Sequence, residues 1–219
     1  MRVILFAVVA GLVVSVHGSR ASDQAGKGDC VPIATPQPAR VFSYQHREST
    51  GGTTTTTNQW ESVTPTGSRV KTSGPAGVQI QVNTHRIVND VAVLTLTMKT
   101  TAKGGLIAST EFSPGVVSDP AFRACAGRSW AIPAVSASYR SASGQGASAM
   151  TPSGTLRIVG IREKVTVPAG TFETVHYERS TTQSHDEYWK SIEHGVVVKH
   201  LATLRGGAGS VSELLTAIK

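Results

Sequence analysis

Between residues 161 and 179 the side chains alternate with a period of two on both sides of Val167-Pro168-Ala169-Gly170. Ile161, Glu163, Val165 and Val167 fall on one face and Arg162, Lys164 and Thr166 on the other. Past the corner, Glu173, Val175, Tyr177 and Arg179 alternate with Phe172, Thr174, His176 and Glu178. A helix would repeat about every 3.6 residues, so this stretch is committed to strands. Proline presets the φ of a turn's second residue and glycine supplies a conformation that other residues avoid, which predicts a β-hairpin. A phosphate-binding loop would need more glycines and a helix behind them. The stretch is therefore a corner and not a site.

The same pattern recurs along the chain. Residues 40–48, 53–63, 78–84, 91–101, 106–112, 155–167, 171–181, 187–190 and 195–203 are rich in β-branched and aromatic residues, and each run is cut off by Gly, Pro, Asn or Asp. The short spacings favour antiparallel meanders over helical crossovers. No amphipathic helix longer than two turns is evident. Residues 23–38 and 134–154 are rich in Ser, Ala, Gly and Pro, which predicts an extended arm and a long loop. The C-terminal segment is ambiguous. Ser210-Val-Ser-Glu213 matches a helix capping box, yet Leu214, Thr216 and Ile218 alternate as a strand would.

Arg2 followed by a compact apolar run over residues 3–14 and then small residues, with cleavage after Gly18 or Ala21, reads as a secretory signal peptide. The run falls far short of the roughly 20 residues needed to span a bilayer. No cysteine sits directly behind it, so a lipid anchor is not expected. The expected organisation is a signal peptide over 1–21, an extended N-terminal arm over 22–39 and a single antiparallel β domain over 40–219. Loss of Arg2 and Arg20 with the signal would lower the formal charge from +7 to +5. The excess favours anionic neighbours, but the charges are scattered without a basic run, so nucleic acid is not an expected partner. The two cysteines, Cys30 and Cys125, are most simply a disulfide in an oxidising compartment. Neither has His or Asp at metal-ligand spacing.

Gly127-Arg-Ser-Trp130, the run from Gly160 to Phe172, Glu187-Tyr-Trp189, Gly195-Val-Val-Val-Lys199 and Glu213-Leu-Leu-Thr216 resemble, in order and spacing, a group of exported bacterial proteins of unknown function. The likeness covers roughly residues 125–219. It implies an all-β, mostly antiparallel fold with little helix: a single sheet curled into a β-roll or half-barrel, loosely similar to the outer-membrane lipoprotein carriers. On that pattern the C-terminal segment becomes the last strand. The group tends to have an Ala-Pro-Gly turn after the tryptophan, where this chain has Lys190-Ser-Ile-Glu-His194. The resemblance brings no catalytic residues.

Chemistry-bearing motifs are weak. Ser68-Arg-Val-Lys71 has the spacing of a Ser-x-x-Lys pair, which needs a helix and here reads as strand. Gly144-Gln-Gly146 lies in a Ser/Ala-rich segment with no βαβ unit around it. His176, His185, His194 and His200 cluster near Asp186, Glu187 and Glu193, but without the paired spacing that fixes two metal ligands on one element; solvated strand or loop positions are expected, with no metal and no cofactor. Trp130, Trp189, Tyr177 and Tyr188, with Trp60, are the useful clue. They either fill a core layer or line a concave face, and in the second case they are the candidate ligand-binding residues. The functional expectations are a non-catalytic envelope protein holding an apolar or amphipathic ligand such as a lipid, an assembly partner of another envelope protein, and, third, a hydrolase with a dispersed site. No transmembrane segment is expected.

Overall fold

The computed structural model describes residues 29–49, 51–74, 79–207 and 209–219; the expected signal peptide and residues 22–28 of the arm lie outside them. The first strands are β1 (Cys30–Pro32), β2 (Val41–Glu48), β3 (Thr53–Thr64), β4 (Gly67–Ser73), β5 (Gln79–Val88), β6 (Val91–Thr101), β7 (Leu106–Pro120) and β8 (Arg123–Cys125). They are followed by β9 (Ser129–Ile132), β10 (Ser136–Ser141), β11 (Gly146–Met150), β12 (Gly154–Val167), β13 (Gly170–Thr181), β14 (Ser184–Ser191), β15 (Val197–Leu204) and β16 (Ser210–Ile218). Fourteen form one antiparallel sheet in the order β11-β10-β7-β6-β5-β4-β3-β2-β16-β15-β14-β13-β12-β9, while β1 and β8 pair separately. The sheet is curled and not closed into a barrel, as the alternation and the resemblance imply.

Two meanders meet at the β2–β16 seam. Tyr44 stands opposite Leu215 and Phe42 opposite Ile218. Val41 N donates to Lys219 O at 3.1 Å and Lys219 N to Val41 O at 2.9 Å. The locally ambiguous C-terminal segment is thus a strand, because a waiting edge satisfies its backbone along its whole length. The Val167-Pro168-Ala169-Gly170 corner is a hairpin with Val167 opposite Gly170, whose φ is +138°. It is docked as well: Ala169 N donates to Leu215 O at 3.2 Å.

One expectation is corrected. Residues 134–154 are not a long loop but carry the β10–β11 hairpin, with β10 paired to β7 from Ser136↔Ser113 to Ser141↔Ala108. Small residues have weak intrinsic strand preference, and a non-local partner edge overrides it.

The N-terminal arm is held on both sides. Cys30 stands opposite Cys125 and is disulfide-bonded to it. Ile33 N donates to Phe122 O and Ala34 N to Ile192 O, both at 2.8 Å. Gly195 has φ +66°, and a Cβ there would lie 2.0 Å from Ala34 O, so the β14–β15 turn can meet the arm only as glycine. Val31, Ile33 and Ala124 are buried with Leu156, Ile158, Val175 and Tyr177 in one core cluster. A second is built from Phe42, Tyr44, Phe172, Val196, Val198 and Leu215. The arm therefore contributes apolar core from a short segment whose three-residue strand pairing alone would be marginal.

The crosslink spans 95 residues of chain, and in the chain-entropy account a loop of that size stabilises by about 4–5 kcal/mol. Replacing both cysteines by serine is expected to lower the unfolding free energy by roughly 2–5 kcal/mol in a denaturant titration. An unchanged midpoint would show that the strap holds without its bond.

Candidate functional site

Alternation on neighbouring strands, combined with the register, aligns Tyr177, Tyr188, His200, Glu213 and His46 in one row across β13, β14, β15, β16 and β2. All five point to the same face, because directly opposed residues in an antiparallel ladder share a side. The rings stack: Tyr177 on Tyr188 at 4.8 Å between centroids, and Tyr188 on His200 at 4.2 Å. A second row, Trp60, Val70 and Asn83, runs across β3, β4 and β5. The curl brings these rows round a shared cavity of about 540 Å³. Leu94, Phe112 and Val116 supply further apolar wall, and Ala34, Thr35 and Pro36 of the arm line it too.

The polar part of the wall is built from ion pairs. Lys190, 6% exposed, donates to the Asp119 carboxylate and to Pro120 O. Burial pushes the Asp119 carboxyl up, but the Lys190 ammonium, with its hydrogen bond, outweighs this and holds the group below the usual carboxylate range. His200 Nε2 lies 3.1 Å from Asp186 Oδ1, and Ser184 Oγ donates to Asp186 Oδ2 at 2.6 Å. His46 Nδ1 is 3.1 Å from Glu213 Oε2. Burial raises the Glu213 carboxyl pKa, against the opposing influence of His46 and His200. His85 also faces the cavity, and burial lowers its pKa from 6.5. Two buried side-chain nitrogens on this wall, His85 Nδ1 and Arg179 Nε, have no hydrogen-bond partner.

Of the four candidate ligand-binding residues, Tyr177 and Tyr188 line the cavity, and so does Trp60. Trp189 is next to Tyr188 on a strand and hence on the opposite side of it. There it stacks on His176 at 4.4 Å, sits under Lys199 Nζ at 4.3 Å and donates from Nε1 to Glu163 Oε2 at 3.2 Å. Trp130 packs against the first core cluster, with the Arg128 guanidinium 4.8 Å above its ring. The late histidines are separated likewise: His200 is inside, His176 is beside Trp189, and His194 contacts Phe172. The expectation that they are merely solvated needs correction, because the side chains of His176 and His200 are only 13% and 18% exposed and lie beside carboxylates. Among the described residues no three His, Cys, Asp or Glu side chains converge as metal ligands. No described helix is long and apolar enough to cross a membrane.

The strand expected over 187–190 begins three residues earlier, which puts Asp186 and Tyr188 on one face and His185, Glu187 and Trp189 on the other. What sequence reasoning missed were Asp119, Lys190, His85 and Arg179, which come together only through the curl.

No family model matches the chain, and no curated protein matches it. Two solved structures are similar. One is a Bacteroides fragilis protein described as exported, with a YmcC-like fold; it is 12% identical, with a TM-score of 0.52, over 87% of this chain and 100% of that one. The other is a Parabacteroides distasonis protein described as a lipoprotein, also 12% identical over 87% of this chain and 100% of that one, with a TM-score of 0.41. The first likeness is one of fold.

Two outcomes are expected of the polar wall. Lys190→Met leaves the Asp119 carboxylate without its counterion and should destabilise by roughly 2–3 kcal/mol in denaturant titration, below the range for fully buried pairs because the Asp119 side chain keeps 26% exposure. The Asp119→Asn/Lys190→Met double variant should recover part of that loss. His85 has a depressed folded pKa, so below 6.5 the unfolded chain takes up a proton that the folded one refuses. Wild type should therefore lose stability more steeply than His85→Leu between pH 7 and pH 5. Parallel melting-temperature profiles would show that His85 does not titrate differently on unfolding.

Proposed function

We propose that this protein is an exported, non-catalytic binding module whose curled sheet holds an apolar or amphipathic ligand in the cavity. The observation that carries this reading is the cavity itself. Its volume lies in the range of about 300–1,000 Å³ common to small-molecule pockets, and it joins apolar walls to a small set of fixed polar groups. Aromatic wall residues, Tyr177, Tyr188 and Trp60, give an acyl chain contact area at little entropic cost. The signal-like N-terminus supports export, and the fold shared with a protein described as exported is compatible with it. A second reading, assembly with another envelope protein through a sheet edge, is favoured by β11, which ends the sheet, carries no charged residue and is exposed along its full length.

The test is a titration of the purified protein with a fluorescent fatty acid. Saturable binding is expected. Trp60→Ala or the cavity-filling Leu94→Trp should weaken it by about tenfold, since a buried aromatic or acyl contact is worth on the order of 1.5–3 kcal/mol. Trp130→Ala and Trp189→Ala, which remove rings off the cavity wall, should weaken it less. No saturable binding by folded protein would overturn the reading and leave the sheet-edge interface as the better one.

A further inference from the structure

The cavity wall carries two permanent cations, Lys190 and Arg179, and they are in different situations. Lys190 is consumed by Asp119 and Pro120 O. Arg179 stands directly opposite Asp186 in the β13–β14 register. Yet both oxygens of Asp186 are engaged elsewhere, Oδ1 with His200 and Oδ2 with Ser184. Glu213, the remaining carboxylate on the wall, is engaged with His46. Among the described residues no carboxylate lies within 4.0 Å of the Arg179 guanidinium, and its Nε is buried without a hydrogen-bond partner. Its polar neighbour across the ladder is the phenol of Tyr188, whose pKa is raised well above the usual value by burial, first, and by the nearby Asp186 carboxylate.

Asp186 acts on this guanidinium only through space, no described carboxylate lies within ion-pair reach, and a buried donor that is left unmet is costly to maintain. Its planar fork of donors matches a carboxylate or a phosphate. We infer that Arg179 is the anchor for the anionic oxygen head of an amphipathic ligand whose chain occupies the apolar walls. This rests on the cavity reading above and specifies its ligand: one apolar chain ending in a carboxylate or phosphate group, bound head-inward at β13. The neighbouring carboxylates are each engaged elsewhere, Asp119 with Lys190, Asp186 with His200 and Ser184, and Glu213 with His46, which leaves the Arg179 fork free for the ligand. The unpartnered His85 Nδ1 is a second polar atom on the same wall, available to a longer head group.

The test compares heads on a constant chain. A fluorescent C16 fatty acid, its uncharged methyl ester, a lysophosphatidic acid of the same chain and inorganic phosphate are titrated into wild type, Arg179→Gln and Arg179→Lys. In wild type the acid or the lysophosphatidic acid should bind at least about tenfold more tightly than the ester, the worth of one hydrogen bond to a charged group. Whichever anionic head is preferred identifies the source as carboxylate or phosphate, and saturable binding of inorganic phosphate would show that the head is recognised without a chain. Arg179→Gln should reduce the anionic probes to the affinity of the ester and leave the ester unchanged. Arg179→Lys, which keeps the charge but not the fork, should fall between. Equal binding of acid, lysophosphatidic acid and ester by wild type overturns the inference while leaving the cavity reading intact, and this holds even if Arg179→Gln does not fold. An anionic preference that survives in Arg179→Gln also overturns it. Failure of the ester and both anionic amphiphiles to bind overturns the cavity reading as well.

Discussion

A sheet of fourteen strands has to be told where to bend, and here contacts that cross the open space fix the curl that register shifts in the ladder allow. Lys190 on β14 reaches Asp119 and Pro120 at the end of β7, although seven strands lie between β7 and β14 in the sheet. Arg128, in the approach to β9, donates to Asp90 at 2.9 Å and to Asn89 O at 2.9 Å, clasping the β5–β6 turn against the other wing. A buried ion pair contributes little net stability, because desolvation offsets most of the attraction. What it supplies is uniqueness of geometry, since a wing displaced by a few ångströms would leave a charge buried alone. The cavity is the volume these cross-contacts hold open between the wings.

The arm makes the fold and the site interdependent. Residues 34–36 line the cavity while Val31 and Ile33 belong to the core, so the segment that completes the wall is anchored by the same few residues that close the disulfide. The glycine at 195 is part of that joint, admitting the arm's carbonyl where any side chain would intrude. The arm's share of the cavity wall is thus held in place by the covalent tie behind it.

Strand identity was legible in the sequence wherever one face is buried, because burial enforces alternation; the hairpin around Pro168 and the strands flanking it are the clearest case. It failed at β10 and β11, whose small residues say nothing until β7 offers an edge. The site was half legible for the same reason. Tyr177 and Tyr188 stand out as aromatics on alternating strands, whereas Arg179, Lys190, Asp119 and His85 look like ordinary solvated charges. Their meaning depends on which carboxylate each one faces, which register and curl decide.

The placement of the seam has a consequence for assembly. Because the first strand of the main sheet pairs with the last, β16 has to exist before the two meanders can join. A chain emerging from its N-terminus has an unsatisfied β2 edge throughout synthesis, and the late meander leaves β15 equally bare until the nine residues of β16 arrive. Both edges lie at the middle of the finished sheet, so the segments most exposed to wrong partners during biogenesis are the ones best protected afterwards. The pairing of Lys219 with Val41 belongs to the step that removes both bare edges at once.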